Sequence, residues 1–192
     1  MSAFPSNKYN IIYADPPWRY KDKSKSHGGG AEQHYPTMSI DEICALPVSD
    51  ISARDSILFL WVTMPMLAED LRVINEWGFI YKTVAFVWVK GNRRININQL
   101  SLYSAIDDYM GMGRWTRANA ELCLLASKGK PKRQSASVRQ IIYSPIQAHS
   151  EKPDETRKRI IELVGELPRI ELFARENTAG WDVWGNEVEA MR

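Results

Sequence analysis

Six apolar runs of strand length recur along the chain: YNIIYAD (9–15), SILFLWVT (56–63), TVAFVWVK (83–90), ELCLLAS (121–127), QIIYS (140–144) and RIELFA (169–174). Apolar residues follow one another within them, without the polar alternation of a half-wetted strand. Strands of this kind are buried on both faces, as in a largely parallel sheet covered by helices on each side. Helical patterns lie between the runs. PMLAEDLRVINEWG opens with Pro65 and closes at Gly78, which places Leu67, Leu71, Ile74 and Trp77 on one face. KPDETRKRIIELVG opens with Pro153, carries acids in its first turn and closes at Gly165, with Ile160, Ile161, Leu163 and Val164 turned inward. Strands alternating with helices predict an α/β fold, a doubly wound, mostly parallel sheet with helices on both faces. With 192 residues, no internal repeat and no linker, one domain spanning 1–192 is expected.

Composition excludes several classes. The chain is 44% hydrophobic and 25% charged, and no apolar run approaches the ~20 residues of a membrane span. The opening MSAFPSNKYN has neither a charged leader nor an apolar core, so no targeting segment is expected. Cys44 and Cys123 lie far apart in apolar surroundings and read as small buried thiols, which suits a reducing cytoplasm. A net charge of +2 permits a polyanionic partner without requiring one. Two stretches stand outside the sheet pattern. Residues 19–37 carry Arg19, Lys21, Lys23 and Lys25 with three consecutive glycines, and residues 91–119 carry Arg93, Arg94, Arg114 and Arg117. Their length exceeds that of ordinary connections, as functional loops do.

The first strand runs straight into Asp15-Pro16-Pro17-Trp18. Two prolines cannot continue a strand, because they lack the amide donors of a ladder. The chain must therefore stop at Asp15 and present its carboxylate at the C-terminal edge of the sheet, where open α/β sheets place ligands. Asp15 and the Pro16 carbonyl offer two fixed acceptors, which match the two N–H donors of an exocyclic amine. Trp18 would supply a face for a planar base. Acceptors that favour a more tetrahedral amine nitrogen make it a better nucleophile in the transition state. The remaining requirement is an in-line electrophile, which a methyl sulfonium provides.

With these residues in view, the chain resembles the METTL-like (MT-A type, DPPW) adenine-N6 methyltransferases, the family of the catalytic subunit of the eukaryotic mRNA methylation complex, with small bacterial and phage members. The resemblance rests on ADPPW (14–18), HYPTMSIDEI (34–43), LFLWVT (58–63), WTRANAELCLLASKGKP (115–131), AHSEKPDETR (148–157), RIELFAR (169–175) and GWDVWGNE (180–187). Their order is similar to that of the β-type amino-methyltransferases and implies a Rossmann-like sheet. The resemblance implies that Asp15, Pro16, Pro17 and Trp18 hold the target amine, and that Asp15 also approaches the methionine end of S-adenosylmethionine. It implies that Tyr35 lies on a gate loop over the target base and that Glu121 lies close to the catalytic pocket. Lys152 matches a contact to the cofactor carboxylate. Arg175, Asn177, Asn186 and Glu187 match positions holding its ribose and adenine. An independent argument agrees for Lys152, since a lysine just before a helix start offers a cation beside free amides.

The activity implied is S-adenosylmethionine-dependent methylation of adenine N6 in DNA, by direct displacement onto a flipped base. Lys21, Lys23, Lys25, Arg93, Arg94, Arg114 and Arg117 would then face phosphates. RNA is the alternative polymer. A non-catalytic nucleic-acid-binding partner subunit is the alternative class, against which the intact tetrapeptide with Lys152, Arg175 and Asn186 argues. His27, His34 and His149 do not cluster, and methyl displacement needs no metal, so none is expected. A homodimer or a partner subunit is expected by analogy, and no membrane association.

Overall fold

A computed structural model describes residues 3–19, 36–91, 110–111, 113, 115–147, 151–186 and 188. Its elements run β1 (Tyr9–Ala14), α1 (Ile40–Cys44), α2 (Val48–Ile51), β2 (Ser52–Val62), a 3-10 turn (Met64–Met66), α3 (Leu67–Glu76), β3 (Ile80–Gly91), β4 (Ala120–Lys128), β5 (Ile141–Pro145), α4 (Glu155–Val164), β6 (Arg169–Leu172) and β7 (Asp182–Trp184). The seven strands are ordered β5-β3-β4-β2-β1-β6-β7, and the β1–β2, β1–β6, β6–β7 and β3–β5 pairs are parallel. This is the mostly parallel α/β sheet that the apolar runs predict. β7 is an addition: its three residues are too short a run to announce a strand, and pairing with β6 makes it one.

The chain divides into two compact units, one of Met1–Thr83, Leu124–Pro131 and Leu167–Arg192, the other of Val84–Cys123 and Lys132–Glu166. In the first, Ile11, Ile12, Tyr13 and Ala14 are all buried, as are Ser56 to Val62. Consecutive burial means that both strand faces are covered, which is why these runs lack alternation. Each fully buried isoleucine or leucine there contributes about 1.5–3 kcal/mol. α1 opens on a capping box, with the Glu42 amide donating to Ser39 Oγ at 3.3 Å and the Ser39 amide donating to Glu42 Oε2 at 2.7 Å. Trp77 donates its indole N–H to the Ile43 carbonyl at 2.9 Å and so ties the end of α3 to α1.

The buried face of α3 differs from expectation. It carries Asp70, Val73 and Ile74, while Leu67 is exposed and Leu71 half-buried. The helix is turned so that Asp70 Oδ2 accepts the Thr63 amide at 3.0 Å, capping the exit of β2. In the second unit the core includes Phe86, Trp88, Cys123, Ile142, Ile160 and Val164. Thr156 joins Ile160 and Val164 on the buried side of α4, and Ile161 and Leu163 are half-buried rather than enclosed. Cys123 is buried as expected, whereas Cys44 is half-buried. Gly78 (φ 79°) and Gly165 (φ 89°) end α3 and α4 in the left-handed region that glycine enters without a Cβ penalty.

Candidate functional site

Parallel register sets several chain ends level in the first unit. Ala14 pairs with Leu60 of β2 and Leu172 of β6, and Leu172 pairs with Trp184 of β7. One residue further on, Asp15, Trp61, Phe173 and Gly185 therefore stand side by side toward the C-terminal edge of these strands.

Asp15 is half-buried and the two prolines behind it are clamped. The Trp18 amide donates to the Pro16 carbonyl at 2.9 Å, and the Met38 amide to the Pro17 carbonyl at 2.8 Å. A carbonyl accepts two bonds, so the Pro16 oxygen has the capacity for one beyond the Trp18 amide. Trp18 is placed otherwise than as an open stacking face. It is 4% exposed, and its indole N–H donates to the Trp61 carbonyl at 3.3 Å. A buried indole needs an acceptor for that N–H, and the strand beside it supplies one. The Trp61 indole in turn donates to the Tyr13 hydroxyl at 2.7 Å. Trp18 thus locks the turn that carries Asp15 to two core strands.

Beyond β6 the backbone is strained. Phe173 has φ 63°, alone among the described non-glycine residues in the left-handed region, and the cost of that conformation often marks a functional turn. The Ala174 amide donates to the Trp184 carbonyl at 3.1 Å. A Cβ at Gly185 would collide with the Ala174 carbonyl, so only glycine permits the two turns to approach so closely. These turns carry Arg175, half-buried, and Asn177 and Asn186, both exposed. Among the described residues, the Thr178 hydroxyl and the Trp184 indole nitrogen are buried and meet no hydrogen-bond partner.

The second unit holds an ionic cluster. Glu121, on β4, accepts from Lys90 Nζ at 2.5 Å through Oε1 and faces Lys152 Nζ at 3.3 Å through Oε2. Burial pushes the Glu121 carboxyl up, but the Lys152 and Lys90 ammonium groups outweigh it and hold the group below its ordinary range. Lys90 Nζ also lies 5.0 Å from the Trp88 ring centroid, and the Trp88 indole donates to the Ser144 carbonyl at 2.9 Å. Sequence reasoning assigned Glu121 and Lys152 to separate tasks; the fold puts them in contact. It missed Lys90, whose signal was a lysine closing the buried run TVAFVWVK, where an ammonium needs a counter-charge. Arg117 is exposed. Lys21, Lys23, Lys25, Tyr35, Arg93, Arg94, Arg114, His149 and Glu187 lie outside the described residues.

Among the described residues, no three His, Cys, Asp or Glu side chains gather where they could hold a metal ion, and no helix is long and apolar enough to cross a membrane. The MT-A70 family model matches residues 9–187. A Type II methyltransferase, M.MunI, of Mycoplasma sp is 39% identical over 96% of this chain and 79% of its own length. A putative N(6)-adenosine-methyltransferase MT-A70-like protein of Medicago truncatula is 31% identical over 96% of the chain and 27% of its own length. The human N(6)-adenosine-methyltransferase catalytic subunit METTL3 is 27% identical over 96% of the chain and 29% of its own length. The chain thus spans most of the first relative and less than a third of the other two.

Proposed function

The chain belongs to the MT-A70 family of methyltransferases, and from that premise we propose that it transfers a methyl group from S-adenosylmethionine to the N6 amine of adenine in DNA. The observation that carries this reading is the Asp15–Trp18 turn, an acid held at a strand end by two backbone bonds and a buried indole. Asp15 and the second lone pair of the Pro16 carbonyl would accept the two N–H groups of the amine and orient its nitrogen lone pair. The Asp15 carboxylate would also hold the proton that the amine sheds on methylation.

The donor set suits the cofactor. Arg175, Asn177 and Asn186 would meet ribose and adenine, together with Glu187, and the buried Thr178 hydroxyl beside Asn177, which meets no partner among the described residues, adds a group in need of a polar ligand. Lys152 would meet the cofactor carboxylate, and Glu121 would lie at the target base. When bound, S-adenosylmethionine supplies an electrophilic methyl on a sulfonium.

DNA is supported by the higher identity to the Type II methyltransferase and by the share of that relative the chain spans. The names of the N(6)-adenosine-methyltransferases favour RNA as the second reading. Methylation of a paired adenine requires extrusion of the base, with Arg117 and the other basic residues of the two long loops on phosphates. One methyltransferase domain spanning 1–192, working in the cytoplasm as a homodimer or with a partner subunit, completes the proposal.

The test is incubation with labelled S-adenosylmethionine and unmethylated DNA or RNA, in parallel with Asp15→Ala, and identification of the product nucleosides by mass. N6-methyladenine from DNA with the wild type alone is expected. The same product from RNA alone moves the substrate, and undiminished turnover by Asp15→Ala refutes the mechanism.

A further inference from the structure

Of the seven tryptophans, six are 7% exposed or less, and Trp115 is 98% exposed. An indole left almost wholly in water forgoes the burial that stabilises the other six, and its ring is open to a ligand. The backbone that carries it is close-packed. A Cβ at Gly111 would collide with the Ala118 carbonyl, and one at Gly113 with the Thr116 carbonyl, so the two glycines let the chain fold back on itself around Trp115. Trp115, Thr116, Arg117 and Ala118 are all exposed. The fold-back is anchored at its end, where the Asn119 carbonyl accepts the Lys90 amide at 2.8 Å. β4 begins at the next residue and brings Glu121 to Lys90 and Lys152.

We propose that Trp115 is a base-stacking residue for the nucleic-acid substrate, presented by the glycine-pinned fold-back two positions before the exposed Arg117. The inference rests on the proposed action on nucleic acid and adds to it the residue that grips a base. An aromatic face with a cation next to it takes a base by its π-face and the adjoining phosphate by charge, a recognition that tolerates any sequence. Trp115 stands six positions before Glu121, on the segment that leads into β4, so the residue that would grip a base and the residue assigned to the target share one stretch of chain. Among the described residues, the large apolar side chain exposed nearest to it in sequence is Met110, and a protein partner would need a broader apolar surface than one ring and one methionine.

The burial pattern makes the test direct, because Trp115 dominates the fluorescence that an aqueous quencher can reach. Iodide should quench the free wild-type protein, a DNA duplex should protect it, and Trp115→Phe should show little quenching in either state. Trp115→Ala should raise KM for DNA roughly tenfold while leaving kcat, thermal stability and S-adenosylmethionine affinity near wild type. Trp115→Phe, which keeps an aromatic face, should recover most of that loss. Unchanged KM in Trp115→Ala, with quenching indifferent to DNA, overturns the inference in an enzyme that still methylates. Protection by DNA in a wild type that methylates no polymer would keep the stacking contact and overturn the methylation reading instead. Protection by a detergent micelle or a protein, and not by DNA or RNA, would overturn the stacking role.

Discussion

Asp70 is fully buried in α3, and its neutralisation should set the pH dependence of stability. Oδ2 accepts the Thr63 amide, while Oδ1 is buried and finds no partner among the described residues. Burial pushes the carboxyl up from 3.8 to about 7, against the Thr63 amide, which favours the ionised form, and with help from the charge of Glu69. A pKa raised in the folded state means that the native protein binds the proton more tightly than the unfolded chain. The stabilisation is complete below pH 3.8, declines as pH rises, and is lost above about 7. At ~1.4 kcal/mol per pH unit, that displacement amounts to about 4 kcal/mol. Asp70→Asn keeps an acceptor for the Thr63 amide and cannot ionise. Urea denaturation of both proteins from pH 3 to 9 isolates the group by difference. The gain of the variant over wild type should be flat in acid, climb between pH 4 and 7, and level off at a few kcal/mol. Parallel curves for the two proteins would refute the reasoning.

The Glu121 cluster should behave with the opposite sign. Its carboxyl sits below 4.5, so the stability it contributes is present above that pH and lost as pH falls through the lowered value. Glu121→Gln should cost about 1–3 kcal/mol at pH 7, since two ammonium groups lose their acceptor, and the cost should fade in acid when read by the same urea titrations. Gly185→Ala drives a Cβ against backbone of the neighbouring turn, 2.7 Å from the Ala174 nitrogen and 3.0 Å from the Phe173 carbonyl carbon. It should cost about 1–3 kcal/mol, or roughly 2–10 °C in Tm, and weaken S-adenosylmethionine binding because Asn186 follows directly. Calorimetry reads both, and an unperturbed variant would contradict the close approach.

Much of the framework is legible in the residues. The six runs correspond to β1 through β6, because unbroken apolarity can be buried only by strands covered on both faces. Gly78 and Gly165 mark the ends of α3 and α4, since a left-handed residue after a helix is a local requirement. Asp15 could be placed at a strand end for a similar reason: prolines end a ladder wherever they occur. β7 escaped notice because three residues carry no period, and only pairing with β6 defines them. The capping box of α1 was written in SIDE (39–42) and was a missed local signal.

What the sequence by itself determined is therefore what depends on near neighbours: strand and helix character, the breaks between them, and the acid at the end of β1. Tertiary structure alone decided the direction of side chains whose partners lie far along the chain. Trp18 reads as a free ring until the Trp61 carbonyl, 43 residues on, takes its N–H. Asp70 lies in the buried face of α3 because the exit of β2 claims its carboxylate for the Thr63 amide. Lys90 joins Glu121 and Lys152 because strand order and loop return bring three distant charges within bonding reach. Burial and charge pairing are sums over neighbours in space, and a linear chain does not state who those neighbours are.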